Sequence, residues 1–185
     1  MDTERLGKTS FGKVFIRLMA LIMESRFRYL FFGPKKILEG AGIGPGMKVL
    51  EVGCGTGFFT IPSAEMIGNA GSLTAMDMLP ISVETVAEKV RRANLSGVVK
   101  VVKGDALDTK LENESLDEVI LFGVIPAPML PMEKLMGEMR RILRPGGRMA
   151  VWPTSWVHQG IVQSGCFRYV NSQNGVSNYE RVDKT

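Results

Sequence analysis

The chain has 185 residues, 45% of them hydrophobic, and a formal net charge of +4. This length suits one domain that needs no disulfide or metal for stability, and the apolar content argues against disorder except at the ends. The small basic excess forms no long Lys/Arg tract, which argues against a nucleic-acid-binding protein. With only Cys54, Cys166 and His158 available, a secreted disulfide framework and a zinc site of Cys and His ligands are excluded, so no metal site is expected.

Residues 1–46 are predicted to form helices that belong to the same domain as the rest of the chain and cover a substrate as a lid, or simply pack on the core. The apolar run 14–23 is interrupted by Arg17. It is shorter than the about 20 residues that span a membrane, and it lacks a signal-peptide cleavage site. We therefore expect a cytoplasmic protein. Because basic and apolar residues mix over 13–36, weak contact with a membrane surface is a further hypothesis.

From Pro34 onward, helical and strand patterns alternate. Pro34 suits the first turn of a helix. The predicted strands cover 47–52, 72–77, 98–103, 116–122 and 147–152. The predicted helices cover 58–67, 81–93 and 132–143. Apolar strands that alternate with helices indicate an α/β fold, a doubly wound parallel sheet with helices on both faces. Two short strands, 167–171 and 176–182, are predicted to follow around a polar turn.

A glycine-rich segment follows the first predicted strand, in the run VLEVGCGTG at residues 49–57. Gly53, Gly55 and Gly57 allow the backbone to approach a ligand closely and to turn toward the next helix. A dinucleotide-binding loop would place its third glycine at position 58, which is Phe58 here. This spacing disfavours a bound pyrophosphate.

Acidic residues lie within or directly after the first three predicted strands. Glu51 is in the first strand, Asp77 ends the second and Asp105 follows the third. The carboxyl ends of neighbouring parallel strands form the ligand-binding edge of such sheets. A carboxylate about 20 residues after the glycine loop can accept hydrogen bonds from ribose hydroxyls, and a second one can accept from an exocyclic amine. Together these acids indicate a nucleoside pocket.

With these segments, the chain resembles the class I, Rossmann-like S-adenosylmethionine-dependent methyltransferases, in particular small stand-alone members that modify metabolites, quinone precursors or lipids. Five stretches match in the family's order and spacing: VLEVGCGTG (49–57), LTAMD (73–77), VVKGDA (101–106), LDEVILF (116–122) and LRPGGRMAV (143–151). The resemblance implies a methyltransferase core over 47–185. It also implies a mostly parallel seven-stranded sheet that ends in an antiparallel strand pair.

The resemblance further implies S-adenosylmethionine as the cofactor and a role for each matching position. The glycine loop with Thr56 would line the methionine part, with Glu51 near its amino group. Asp77 would hold the ribose hydroxyls, and Met78 would pack on the adenine. The remaining expected contacts are Asp105 to the adenine amine, a backbone contact from Ala106, and Phe122 with Gly123 near the transferring methyl.

Little acid-base chemistry is expected of the protein, because a sulfonium methyl is already activated and needs mainly orientation and exclusion of water. We therefore name no catalytic residue and expect a small-molecule methyl acceptor. His158 is a candidate general base, although a structural role is the alternative. Apolar and aromatic residues near the start of the chain, residues 124–131 and residues 152–158 are the candidate acceptor-binding segments.

Two other functions stay open. One is an NAD-dependent oxidoreductase on a similar sheet, which Phe58 disfavours. The other is an S-adenosylmethionine-binding protein without transfer activity, since no residue in the sequence demonstrates turnover. Methylation of a base amine is disfavoured, because the segment after the fourth strand, FGVIPAP (122–128), lacks the Asn or Asp-Pro-Pro-Tyr motif of such enzymes.

Overall fold

The computed structural model describes residues 33–124, 131–154 and 157–183. Its seven strands are β1 (Lys48–Val52), β2 (Ser72–Asp77), β3 (Val99–Lys103), β4 (Leu116–Phe122), β5 (Leu143–Trp152), β6 (Phe167–Gln173) and β7 (Val176–Arg181). The described helices are α1 (Pro34–Ala41), α2 (Thr60–Ile67), α3 (Pro80–Arg92), α4 (Met132–Ile142) and α5 (His158–Gln163).

The strands form one sheet in the order β3-β2-β1-β4-β5-β7-β6. Strands β1 to β5 are parallel, whereas β7 is antiparallel to β5 and β6 is antiparallel to β7. This confirms the predicted doubly wound sheet with its antiparallel pair at the end of the chain. The order reverses between β1 and β4, and such a switch point leaves a crevice outside the carboxyl ends of the strands.

Both faces of the sheet are covered. Helices α1, α2 and α3 pack on one face through residues such as Leu38, Ile67 and Val86. Helices α4 and α5 pack on the other face, where Met139 and Ile161 are fully buried. The strands between them are apolar on both sides, as expected for a parallel sheet that is buried on both faces.

Several boundaries differ from those predicted. Helix α2 begins at Thr60 and not at 58, because the glycine loop continues in turns up to Phe59. Strand β5 begins at Leu143, which already pairs with Leu116 before the chain bulges outward. The other predicted starts and ends that are wrong shift by one or two residues. They do not change the order of the elements.

The predicted polar turn between the last two strands is shorter than expected, and the structure adds one helix. The turn between β6 and β7 consists of two residues, Asn174 and Gly175, with φ of 52° and 79°, which is the backbone that a tight hairpin requires. Helix α5 was not predicted, since its six residues are too few to show a helical period.

Among the described helices, none has the length and apolarity needed to cross a membrane. The predictions for residues 1–32, 125–130 and 155–156 lie outside the described residues, and so does most of the 13–36 segment. Of its two described lysines, Lys35 pairs with Glu65 at 3.2 Å on the surface.

Candidate functional site

The glycine loop is fixed to the end of the neighbouring strand β2. The amides of Gly53 and Cys54 both donate to the carbonyl oxygen of Met76, at 2.8 and 3.0 Å. Gly53, Gly55 and Gly57 have φ of 69°, 53° and 81°, a region that favours glycine. A side chain at position 53 would also lie 2.7 Å from the side chain of Val124. The loop therefore presents bare backbone at the carboxyl edge of β1.

Asp77 connects this loop to helix α3. One carboxylate oxygen accepts the Gly55 amide at 2.8 Å, and the other accepts the Leu79 amide at 2.9 Å. Each oxygen keeps a further lone pair, because a carboxylate offers about four acceptor positions. Asp77 can thus hold the loop and still accept hydrogen bonds from the hydroxyl groups of a ligand.

Glu51 lies beneath the loop and is 3% exposed. Thr60 donates its hydroxyl proton to the Glu51 carboxyl at 2.6 Å. Burial raises the pKa of Glu51 to about 8, against the lowering effect of the Thr60 hydrogen bond, and the nearby Asp77 charge raises it further. A buried carboxyl without a cationic partner in the described residues is suited to receive a positively charged ligand group.

Cys54 occupies the middle of the loop but is chemically quiet. Burial, with smaller contributions from the charges of Glu51 and Asp77, raises the pKa of its thiol well above the usual range. The side chain is 4% exposed and part of the apolar core. We assign it a packing role, because the thiol and not the reactive thiolate is present.

Asp105 follows β3 on the same edge as Asp77, since the amide of Gly104 donates to the Asp77 carbonyl at 3.0 Å. Its side chain is exposed and accepts the Leu107 amide at 2.8 Å, which leaves the second carboxylate oxygen available. Ala106 is buried, whereas Met78 is 54% exposed beside Asp77. A large apolar side chain exposed beside the Asp77 carboxylate is consistent with a surface for a flat ring.

Aromatic side chains cover the ends of β4 and β5 next to the loop. The Phe59 ring meets Phe122 edge to face, with centroids 4.9 Å apart, and meets Trp152 at 6.1 Å. The Gly123 amide donates to the Trp152 carbonyl at 2.7 Å, which ties the two strand ends together. Phe58 contacts Phe59 at 4.8 Å and is buried in the core.

His158 begins α5, near the end of β5, and is exposed. Its Nδ1 lies 2.8 Å from the hydroxyl of the fully buried Tyr179. The His158 ring thus lies on the same half of the sheet as Trp152. The glycine loop lies on the other half, on the far side of β4. The structure does not place His158 among the carboxylates of the loop.

Comparison with known proteins agrees with this geometry. The family model described as "Methyltransferase domain" matches residues 49–147, from β1 into the bulge of β5. The chain belongs to the methyltransferase domain family. Within it, the sheet order and the terminal strand pair show a class I, Rossmann-like member, and the cofactor of this methyltransferase domain is S-adenosylmethionine.

Curated relatives include the demethylmenaquinone methyltransferase of Staphylococcus aureus strain MRSA252. It is 35% identical over 124 residues, which are 65% of this chain and 48% of the relative. The chain therefore spans about half the length of the curated relatives that it matches.

Solved structures share the fold of this methyltransferase domain. A SAM-dependent methyltransferase from Aquifex aeolicus has a TM-score of 0.76 at 22% identity, covering 90% of this chain and 97% of its own. A SAM-dependent O-methyltransferase from Thermotoga maritima has a TM-score of 0.65 at 15% identity, covering 83% of this chain and 66% of its own. At these identities the likeness shows the fold alone.

The residues present fit this cofactor. Beside Gly55, a side-chain carbon would meet only the Gly53 carbonyl, at 3.9 Å, so the loop leaves room for a ligand. The buried Thr56 hydroxyl has no hydrogen-bond partner in the described structure. Carboxylates and free backbone groups are the partners that an ammonium group, ribose hydroxyls and an adenine amine require.

Three contacts in the site were not predicted from the sequence, although Val124 lies in one of the candidate acceptor-binding segments. Thr60 holds Glu51, Lys89 donates to the Thr56 carbonyl at 2.9 Å, and Val124 packs over Gly53. Each contact joins residues on different elements, so no local sequence pattern predicts it. The pairing of His158 with Tyr179 has the same character.

Proposed function

We propose that this protein is an S-adenosylmethionine-dependent methyltransferase that methylates a small-molecule acceptor of the quinol or related aromatic type. The observation that carries the proposal is the glycine loop held by Asp77 at the sheet's switch point, with bare backbone and two further acids beside it. The quinone methyltransferase among the relatives, named for demethylmenaquinone, supports the acceptor class.

Every residue that the sequence singled out for the cofactor has a part in this proposal. Gly53, Gly55, Thr56 and Gly57 line the methionine part, and Glu51 faces its ammonium group. Asp77 accepts from the ribose hydroxyls, while Met78, Asp105 and Ala106 surround the adenine. Phe122 lies near the methyl group. These assignments agree with the positions of the loop, the acids and the exposed Met78 along one edge.

The chain's own contribution is binding, orientation and exclusion of water. S-adenosylmethionine supplies an activated methyl group on a sulfonium sulfur. The aromatic side chains of Phe59, Phe122 and Trp152 keep the neighbouring strand ends apolar. In a dry site, alignment of the acceptor atom provides most of the rate enhancement.

Calorimetric titration with S-adenosylhomocysteine, with NAD as the parallel ligand, tests the proposal. We expect S-adenosylhomocysteine to bind and Asp77→Asn to raise its Kd at least about tenfold, because hydrogen bonds to a charged group contribute about 1.5–3 kcal/mol. Met78→Ala should weaken binding less. Asp108→Asn is the matched control, since Asp108 is exposed and pairs with Lys110.

Asp77 also holds the loop, so weaker binding in Asp77→Asn could come from a disturbed loop. Met78→Ala shortens only an exposed side chain and therefore tests the site without disturbing the loop. Binding of NAD in place of S-adenosylhomocysteine would make the protein an oxidoreductase. Binding without transfer of a labelled methyl group to reduced naphthoquinol acceptors would support the non-catalytic alternative.

The proposal includes a cytoplasmic location. It rests on Cys54 and Cys166, both of which are free thiols, as is usual in a reducing compartment. Contact of residues 13–36 with an anionic membrane surface, where a lipid-soluble quinol would be found, stays a prediction. Co-sedimentation with anionic liposomes at low salt tests it, and the absence of binding would contradict it.

A further inference from the structure

A cleft of about 540 Å³ opens between α5 and the β6–β7 hairpin. Its lining residues are Pro153, Thr154, His158, Tyr169, Gly175 and Ser177. Pro153 and Thr154 directly follow β5, so the cleft begins at the carboxyl edge of the sheet. Its volume falls in the range of about 300–1,000 Å³ that small-molecule sites have.

The cleft lies on the half of the sheet that the cofactor residues leave free. The glycine loop, Asp77 and Asp105 follow β1, β2 and β3, whereas the cleft adjoins β5, β7 and β6. Strand β4 separates the two halves. Its end is tied to β5 by the hydrogen bond from Gly123 to the Trp152 carbonyl. A ligand in the cleft would therefore approach the end of β4 from the side opposite the cofactor.

Among the described residues, the lining is aromatic and polar and includes no Asp, Glu, Lys or Arg. Tyr169 is 44% exposed, and its ring meets the His158 ring edge to face at 5.2 Å. Polar groups in the lining are the imidazole, the Ser177 hydroxyl and the Thr154 hydroxyl, which donates to the Val151 carbonyl at 2.9 Å and can accept a further hydrogen bond. These groups suit a flat, uncharged ring that carries a hydroxyl or carbonyl oxygen.

His158 is held in place for such an oxygen. Its Nδ1 pairs with the Tyr179 hydroxyl at 2.8 Å, and within the described residues Nε2 has no hydrogen-bond partner. Burial raises the pKa of Tyr179 to about 12, although Ser177 lowers it by hydrogen bonding, so the phenol stays neutral near pH 7. The neutral phenol fixes the imidazole, and Nε2 is left for a ligand.

We propose that this cleft is the methyl-acceptor subsite, that it takes a flat, uncharged, hydroxylated ring, and that His158 Nε2 hydrogen-bonds the ring oxygen. This assignment rests on the proposed function. It gives His158 the role of binding and orienting the acceptor, with Tyr179 as a positioning residue.

The single histidine makes the test direct, because this 185-residue chain without an affinity tag has one imidazole in its proton NMR spectrum. We expect 2-naphthol to shift the His158 ring signals saturably, and 2-naphthalenesulfonate to bind at least several-fold more weakly. His158→Gln and Tyr169→Ala should each raise the Kd of 2-naphthol, measured by its fluorescence, about three- to tenfold, as expected for one lost contact.

Val162→Ala is the matched control, since Val162 is 42% exposed on the same helix α5 and does not line the cleft. Its Kd should equal that of the unaltered chain, and saturating S-adenosylhomocysteine should not displace 2-naphthol. Competition between the two ligands, or unmoved His158 signals in protein that binds S-adenosylhomocysteine, would overturn the cleft assignment alone. If the unaltered chain does not bind S-adenosylhomocysteine, the proposed function itself is overturned.

Discussion

Two carboxyl groups beside the glycine loop differ in their surroundings. Asp77 accepts two backbone amides, whereas Glu51 is buried and accepts a single hydroxyl proton from Thr60. Removal of a carboxylate from water without a cation costs free energy, so the folded protein favours the neutral form of Glu51. The folded state then holds a proton that the unfolded chain releases near its ordinary pKa of 4.5.

This difference predicts a pH dependence of stability. Because the folded-state pKa of Glu51 is raised to about 8, its neutral form costs nothing below pH 4.5, and stability falls as pH rises from 4.5 to 8. Between pH 5 and pH 8, the unaltered chain should lose unfolding free energy. In Glu51→Gln we expect this loss to be smaller by about 1–3 kcal/mol, since one pKa unit corresponds to about 1.4 kcal/mol.

Urea denaturation of the cofactor-free protein at both pH values measures the effect. Glu84→Gln is the control, because Glu84 is an exposed glutamate on α3. An equal pH dependence in Glu51→Gln and the unaltered chain would show that Glu51 is ionised in the folded state.

At the scale of elements, the connection from β3 to β4 contains no helix and is held by α4. Glu138 accepts the amide and the hydroxyl of Thr109 at 2.8 and 2.7 Å. Arg141 donates to the Leu111 carbonyl at 2.8 Å and also pairs with Glu138. The Glu138–Arg141 ion pair thus fixes the β3–β4 connection, the segment that contains Asp105, against α4.

The Glu138 pair should stabilise the protein only above strongly acidic pH. Hydrogen bonds from Arg141, with those from Thr109, lower the pKa of Glu138 to about 2 despite partial burial. Its contribution is complete above the unfolded value of 4.5 and is lost as pH falls from 4.5 toward 2. We expect Glu138→Gln to reduce the unfolding free energy by about 1–2 kcal/mol at pH 7 and by less at pH 3.

Glu88 offers the matched control for this prediction. It pairs with Arg92 at 2.7 Å on the surface of α3, and such exposed pairs contribute about 0.2–1 kcal/mol. Denaturant unfolding of Glu88→Gln should therefore show little change. A loss from Glu138→Gln no larger than that from Glu88→Gln would contradict the role of α4 as an anchor.

At the scale of the whole molecule, helix α1 packs against the β6–β7 hairpin, although these segments are far apart in the chain. The side-chain amide of Asn178 donates to the Gly40 carbonyl at 2.8 Å, and that of Asn174 donates to the Lys36 carbonyl at 2.6 Å. A side-chain carbon at Gly40 would lie 2.3 Å from the backbone oxygen of Gln173. The close approach of helix and hairpin therefore requires glycine.

Two helical glycines should respond oppositely to the same substitution. Gly40→Ala should destabilise the protein by about 1–3 kcal/mol, because the added carbon meets backbone that can move only with the hairpin. Gly137→Ala on α4 is the control: nothing lies within 4 Å of its added carbon. It should stabilise by about 0.5–1 kcal/mol through helix propensity.

The unfolding free energies of the two variants are compared by thermal unfolding and by denaturant titration. If Gly40→Ala is as stable as the unaltered chain, the hairpin does not pack on α1 as described. If both variants gain stability, helix propensity alone governs both positions.

The sequence by itself determined the order of the elements, the sheet class and the edge that carries the glycine loop and the three acids. The reason is that periodicity, glycine spacing and acids at strand ends are local signals. Strands β2 and β4 begin and end where predicted, and Glu51, Asp77 and Asp105 follow from their places along the strands. The resemblance of five short stretches to one family added the strand count and the cofactor.

Only the tertiary structure decided which distant groups meet. Thr60 beneath Glu51, Arg141 on the β3–β4 connection, and Tyr179 behind His158 join elements that lie apart in the sequence. Burial likewise follows from the packing of the whole sheet, so the raised pKa of Glu51 could not be predicted from its neighbours in the chain. The cleft beside α5 depends in the same way on a hairpin that returns from the end of the chain to lie against β5.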